Sequence, residues 1–200
     1  MTSPATGEVG TPDPVPADGD AGAAATHGPV HRLGPEWETG PDGVRFRRAA
    51  RVILLDASDR VLLLHGCDAD QRERTWWFTV GGGIDAGETA LEAAVRELRE
   101  ETGIDVPAAE LVGPVFSRSA EFDFLAETCH QDELFFLARC EGASSFSRDG
   151  WTDIEHDTID ELRWWSLDDL AAVDEEVFPV RLPELVRSLL GGWDGVTRTV

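Results

Sequence analysis

GGGIDAGETALEAAVRELREETGI, residues 81–104, is the stretch around which the chain is organised. Thr89 with Glu92 three residues on is a capping-box pattern, and Gly103 suits the position just past a helix end, so the stretch predicts a helix over about residues 90–102. Leu91, Val95 and Leu98 recur at helical spacing and give an apolar stripe that pins the helix to a core. Glu97, Glu100 and Glu101 gather their carboxylates on another face, where like charges repel. A solvated acidic face is the ordinary outcome of a charge run. A divalent cation accounts for this one better, because Mg²⁺ takes oxygen ligands and is commonly held by carboxylates together with substrate phosphates. The glycines ahead of the helix let backbone approach a ligand closely and present a carbonyl, that of Gly82 in particular.

Read as a pattern, Gly82, Glu88, Arg96, Glu97, Leu98, Glu100, Glu101, Gly103 and Ile104 fall at the spacing G-x5-E-x7-R-E-U-x-E-E-x-G-U, where U is a bulky aliphatic residue. This resembles the signature of the Nudix hydrolases at every fixed position. The run Trp76, Trp77, Phe78, Thr79, Val80 looks like the strand that leads into that family's loop and helix, and residues 162–167 look like a late strand before a short helix. Val80 departs from the proline of many relatives, a difference of loop rigidity and not of a ligand. The resemblance spans about residues 43–192 and implies an α/β fold with a mixed β-sheet sandwiched between α-helices. It also implies metal-dependent cleavage of a pyrophosphate bond in a nucleoside diphosphate derivative. Mg²⁺, with Mn²⁺ as an alternative, would be held by Glu97, Glu100, Glu101 and the Gly82 carbonyl. Arg96 would pair with a helix glutamate, and Glu88 would tie loop to helix. The general base would be a helix glutamate, with Glu100 the candidate, or one on a later loop. For the loop, Glu155 is the candidate, and Asp153, Asp157 and Glu161 are its rivals.

The totals bound the rest. Two hundred residues at 42% hydrophobic suit one domain with tails: an acidic Pro/Ala/Gly-rich tail over 1–42, expected to be disordered, a Nudix domain over 43–192, and a C-terminal tail over 193–200. The first tail holds seven of the eleven prolines. No apolar run approaches the ~18 residues of a membrane span, and the N-terminus lacks the layout of a signal peptide. Cys67, Cys129 and Cys140 form no CxxC pair, so a reducing cytoplasm is the expected setting. The net charge of −22 sets 39 acids against 17 basic residues, all arginine. Such a surface disfavours DNA, long RNA and anionic membranes, while a small nucleotide substrate stays compatible because bound metal inverts the local potential. A monomer or homodimer is expected.

Taken in order, residues 45–55 and 61–64 read as a buried hairpin around a turn at 56–59. Arg45, Arg47, Arg48 and Arg51 are candidate phosphate contacts, Arg51 foremost, although alternation places most of them toward water. Trp77 is a candidate for stacking on a base, against the commoner role of an indole in a core. Residues 111–117 and 121–125 read as two broken strands, 133–139 as a strand covered on both faces, and 149–160 as an acidic loop. A strand at 162–165 and helices near 167–172 and 183–190 follow.

In the family that the chain resembles, residues outside the signature choose the substrate, and the resemblance implies a branch through the markers that are present or missing. The chain has no tyrosine and no SQPWPFPxS-like array, and Pro114 lies nearer the signature than the proline of ADP-ribose pyrophosphatases. A (deoxy)nucleoside triphosphate pyrophosphohydrolase remains, with an ADP-ribose or nucleotide-sugar pyrophosphatase as the alternative. From another class, a non-catalytic nucleotide-sensing or protein-interaction module is weighed against the complete acid set, which favours catalysis.

Overall fold

In the computed structural model, Met1 and residues 32–200 are described. RFRRAARVILL forms β2 (Arg45–Leu55), and the two-residue β1 (Glu38–Thr39) pairs with its start. The chain continues through β3 (Val61–Cys67), β4 (Thr75–Gly83), α1 (Ala90–Thr102), β5 (Val112–Phe124), β6 (Glu127–Arg139), α2 (Asp153–Thr158), β7 (Ile159–Trp165), α3 (Leu167–Ala171), β8 (Glu176–Phe178), α4 (Leu182–Leu189) and β9 (Arg198–Thr199). The strands hydrogen-bond in the order β7-β3-β4-β2-β6-β5-β9, with β1 and β8 paired to β2 and β4. The sheet is mixed: β2 runs parallel to β6 and antiparallel to β4.

Two cores lie against this sheet. Val52, Leu54, Leu62, Leu64 and Phe136 pack with Ala94 and Leu98 of α1, whereas Ile53, Leu55, Leu63 and Phe135 pack with Leu182, Val186 and Leu189 of α4. Successive residues of β2 and β3 thus enter opposite cores, as the period of a strand requires. The fold is the mixed sheet between helices that the signature implied.

α1 begins and ends where its caps dictate. Thr89 Oγ1 accepts from the Glu92 amide while the Glu92 carboxylate accepts from the Thr89 amide, and Gly103 takes a left-handed φ of 74° with its amide donating to Arg99 O.

Several local expectations are corrected. β2 and β3 meet only at Leu55 and Val61, because β4 lies between them for the rest of their length. The two broken strands merge into one β5 of 13 residues. Residues 149–160 contain α2, started by a second capping box in which Thr152 and Glu155 exchange the same bonds as Thr89 and Glu92. Of the expected N-terminal tail, residues 2–31 lie outside the described residues, but Trp37 is buried and β1 pairs with β2. The expected C-terminal tail carries β9, which pairs with β5. Neither β1 nor β9 has the length or alternation that marks a strand, so only their partners define them.

The turn between β2 and β3 is organised by Asp56, 2% exposed, whose carboxylate accepts from the amides of Ser58 (2.8 Å) and Arg60 (2.9 Å) and from Arg60 Nε (2.7 Å). Burial pushes this carboxyl up, but those donors outweigh it and hold it below its ordinary value. The turn's contribution is therefore present above the unfolded carboxyl's pKa and lost as pH falls through the folded one. Asp56→Asn should lower stability by about 1–3 kcal/mol at neutral pH, with the gap to wild type closing on acidification, as read by denaturant unfolding at pH 7 and in acid.

Candidate active site

α1 carries Glu97 and Glu101 one turn apart on the side that faces the glycine end of β4, 8% and 3% exposed respectively. Glu155 from α2 joins them, so that one oxygen from each of the three carboxylates lies within 4.8 Å of the others. Burial first, then repulsion from Glu97 and Glu155, drives the Glu101 carboxyl well above the ordinary range. Burial likewise raises Glu97, against the opposing pull of Arg96. A hard divalent cation would relieve both effects at once, and an all-oxygen donor set suits Mg²⁺ or Mn²⁺.

The glycine loop is fitted to these acids. A Cβ on Gly82 would lie 2.6 Å from Glu97 Oε1, so only glycine leaves the carboxylate its place. The Gly81 amide donates to Glu101 Oε2 at 2.6 Å. Arg96 then ties loop to helix. Its Nε and Nη2 donate to the two oxygens of Glu88 (2.9 Å each), Nη2 also to Gly83 O (2.9 Å), and Nη1 to Glu97 Oε1 (2.8 Å) and Glu100 Oε2 (3.2 Å). Glu88 accepts the Asp85 amide as well, and Arg96 holds its carboxyl below the usual range. Of the helix acids, Glu97 and Glu101 therefore converge with Glu155, while Glu100, its side chain 39% exposed, turns toward Arg96.

Two candidates lie elsewhere than expected. Trp77 is buried among Trp165 and His65 in the core on the α4 side, its Nε1 donating to Glu175 Oε2 at 2.5 Å, so its ring is not offered to a base. Arg51 donates to Glu133 Oε1 (3.0 Å) and to the carbonyls of Thr79 and Gly81, so its guanidinium braces the end of β4 instead of facing solvent. Arg47 does not face water either: it donates to Gln131 Oε1 (2.5 Å) and Glu36 Oε1 (3.3 Å) and lies 4.3 Å from the Trp37 ring. Burial, followed by the neighbouring Arg51, lowers its pKa to about 10.

The residues that sequence reasoning missed deliver Glu155. Trp151 Nε1 donates to Glu101 O (2.9 Å), the Ser147 amide donates to Thr102 O (3.0 Å), and a Cβ on Gly150 would meet the Glu100 backbone at 2.7 Å. Segment 147–151 thus lies directly on the last turn of α1 and starts α2 beside the acids. The T-x-x-E pattern of Thr152 and Glu155 was readable, being the signal that placed the start of α1. The docking through Trp151 had no local signal.

Gly82→Ala should push the Glu97 carboxylate out of the cluster and weaken Mn²⁺ binding by roughly tenfold or more, the scale of a displaced ligand or its support, with far-UV circular dichroism unchanged. Calorimetric titration of the metal-free protein reads the first quantity.

Comparison with known proteins agrees with this geometry. The model of the NUDIX domain matches residues 45–185. The chain is 35% identical over 92 residues to the dihydroneopterin triphosphate diphosphatase of Escherichia coli K12, covering 45% of this chain and 59% of that one. It is 30% identical over 153 residues to the RNA pyrophosphohydrolase of Sphingopyxis alaskensis, covering 70% and 88%. Among solved structures, a MutT NUDIX hydrolase from Burkholderia pseudomallei superposes with a TM-score of 0.50 at 20% identity, covering 72% of this chain and 98% of that one. A domain match across most of the chain, joined to a relative aligned over nearly its whole length, makes this protein a member of the NUDIX domain family.

Proposed function

We propose that the chain is a divalent-metal-dependent pyrophosphohydrolase acting on a (deoxy)nucleoside triphosphate or a close analogue. The observation that carries this reading is the convergence of Glu97, Glu101 and Glu155 beside a glycine whose missing side chain leaves the Glu97 carboxylate its room. These three carboxylates and the Gly82 carbonyl would hold Mg²⁺ or Mn²⁺. The ion would neutralise the diphosphate's oxygens and acidify the attacking water. Glu100, whose side chain among the described residues bonds only to Arg96, would accept the proton of that water, a role worth on the order of 10²- to 10⁴-fold. Arg96 and Glu88 keep loop and helix at fixed separation, so the carbonyl and the acids stay in register.

The relatives support an acid-anhydride substrate, since one is by name a triphosphate diphosphatase and another a pyrophosphohydrolase. The chain spans 59% of the length of the first of these, so its substrate is assigned here from chemistry as well as from likeness. A net charge of −22 repels polyanions, which favours a mononucleotide over RNA.

A panel of deoxynucleoside triphosphates, oxidised dGTP, dihydroneopterin triphosphate, RNA with a 5′-triphosphate, ADP-ribose and nucleotide sugars, assayed with Mg²⁺ and with products identified by mass, tests the reading. Turnover of a triphosphate with release of pyrophosphate is expected. It should vanish in excess chelator and in Glu101→Gln, which keeps side-chain volume while removing a ligand. Full rates in either condition would sink the mechanism.

A further inference from the structure

Glu155 has to be held where it stands. It sits within reach of two other carboxylates that repel it, and among the described residues no arginine pairs with it. Among the described residues its hydrogen-bond donors are both on Thr152: the Thr152 amide and Oγ1 each donate to Glu155 Oε2 at 2.7 Å, while Thr152 Oγ1 accepts from the Glu155 amide at 3.4 Å. This occupies Oε2 and leaves Oε1 as the oxygen without a hydrogen bond among the described residues.

Resting on the reading of the acid cluster as a metal site, we propose that Thr152 is a positioning residue that fixes the Glu155 carboxylate toward the ion. The two capping boxes among the described residues show the difference in use. At the start of α1, Glu92 takes the same bonds from Thr89 but is exposed and lies outside the cluster, so that box serves only its helix. At the start of α2 the helix is just six residues long, and the glutamate of the box is itself the third member of the cluster. Thr152 in turn is the next residue after Trp151, whose indole N–H binds Glu101 O, and Gly150 packs on Glu100. The linkage from one candidate ligand to the other therefore runs from the Glu101 carbonyl through Trp151 and Thr152 to Glu155, with two hydrogen-bonded steps and one peptide bond. The position of the loop acid is set by α1, the element that carries the other two.

The test is titration of the metal-free full chain with Mn²⁺, with free ion read by electron paramagnetic resonance, for wild type, Thr152→Val, Thr152→Ser, Glu155→Gln and Glu101→Gln. Circular dichroism and melting are followed in parallel. Thr152→Val keeps the volume and removes the hydroxyl. It is expected to weaken Mn²⁺ binding roughly tenfold or more, the usual scale for losing a residue that orients a ligand, with turnover recovering toward wild type as Mn²⁺ is raised. Thr152→Ser restores the hydroxyl and should bind like wild type. A Thr152→Val protein with wild-type affinity beside a weakened Glu155→Gln would show that the threonine serves only the helix start, and the proposal falls. Wild-type affinity in Glu155→Gln removes the acid from the site and the proposal with it. Undiminished binding and turnover in Glu101→Gln would instead be the failure of the metal-site reading itself.

Discussion

Like charges cannot be brought together without a scaffold that resists their repulsion, and here three carboxylates from two helices are held within 4.8 Å of one another with two of them nearly buried. Much of the surrounding architecture serves that constraint. Arg96 places a fixed positive charge against Glu97 and Glu100 and clasps the loop through Glu88 and Gly83, so the helix cannot turn without dragging the loop. The Gly81 amide gives Glu101 a donor that needs no counter-charge. Removing the side chain at Gly82 creates the space that Glu97 fills.

The sheet transmits the same order from further away. Arg51 links β2 to Glu133 of β6 and to the backbone at the end of β4, and Arg118 of β5 donates to the other oxygen of Glu133 at 2.8 Å. A buried carboxylate shared by two guanidiniums fixes three strands laterally, which would be costly if either partner were missing. The strand that ends in the glycine loop is thereby locked to its neighbours before the helix begins. Trp77, at the other end of β4, does the corresponding apolar work by packing against Trp165 in the core on the α4 side.

Local chemistry made some elements legible and left others unreadable. α1 could be bounded because Thr89, Glu92 and Gly103 act within a few residues of its ends. β2 and the second half of β6 could be recognised because long apolar runs report burial on both faces. The insertion of β4 between β2 and β3 could not, since adjacent strands in sequence read as a hairpin unless a third strand competes for the same edge. Alternation placed most of the β2 arginines toward water, and the arrival of Glu133 and Gln131, more than 80 positions away, with Glu36 from the segment ahead of β2, turned Arg51 and Arg47 inward.

What the sequence determined by itself is the chemistry of the site: the spacing of Glu97, Glu100 and Glu101 on a helix of known ends, a glycine loop ahead of it, and the arginine and glutamate that join them. Those relations are local, and helical geometry converts spacing into direction. What tertiary structure alone decided is which acids share a site. Glu155 stands 54 positions after Glu101, and its arrival depends on Trp151, Gly150 and Ser147 docking on the last turn of α1. Glu100, adjacent to Glu101 in the chain, is instead drawn toward Arg96. Neighbours along a helix diverge by about 100° each, whereas packing can bring together residues of any separation, so the membership of the cluster was a property of the fold.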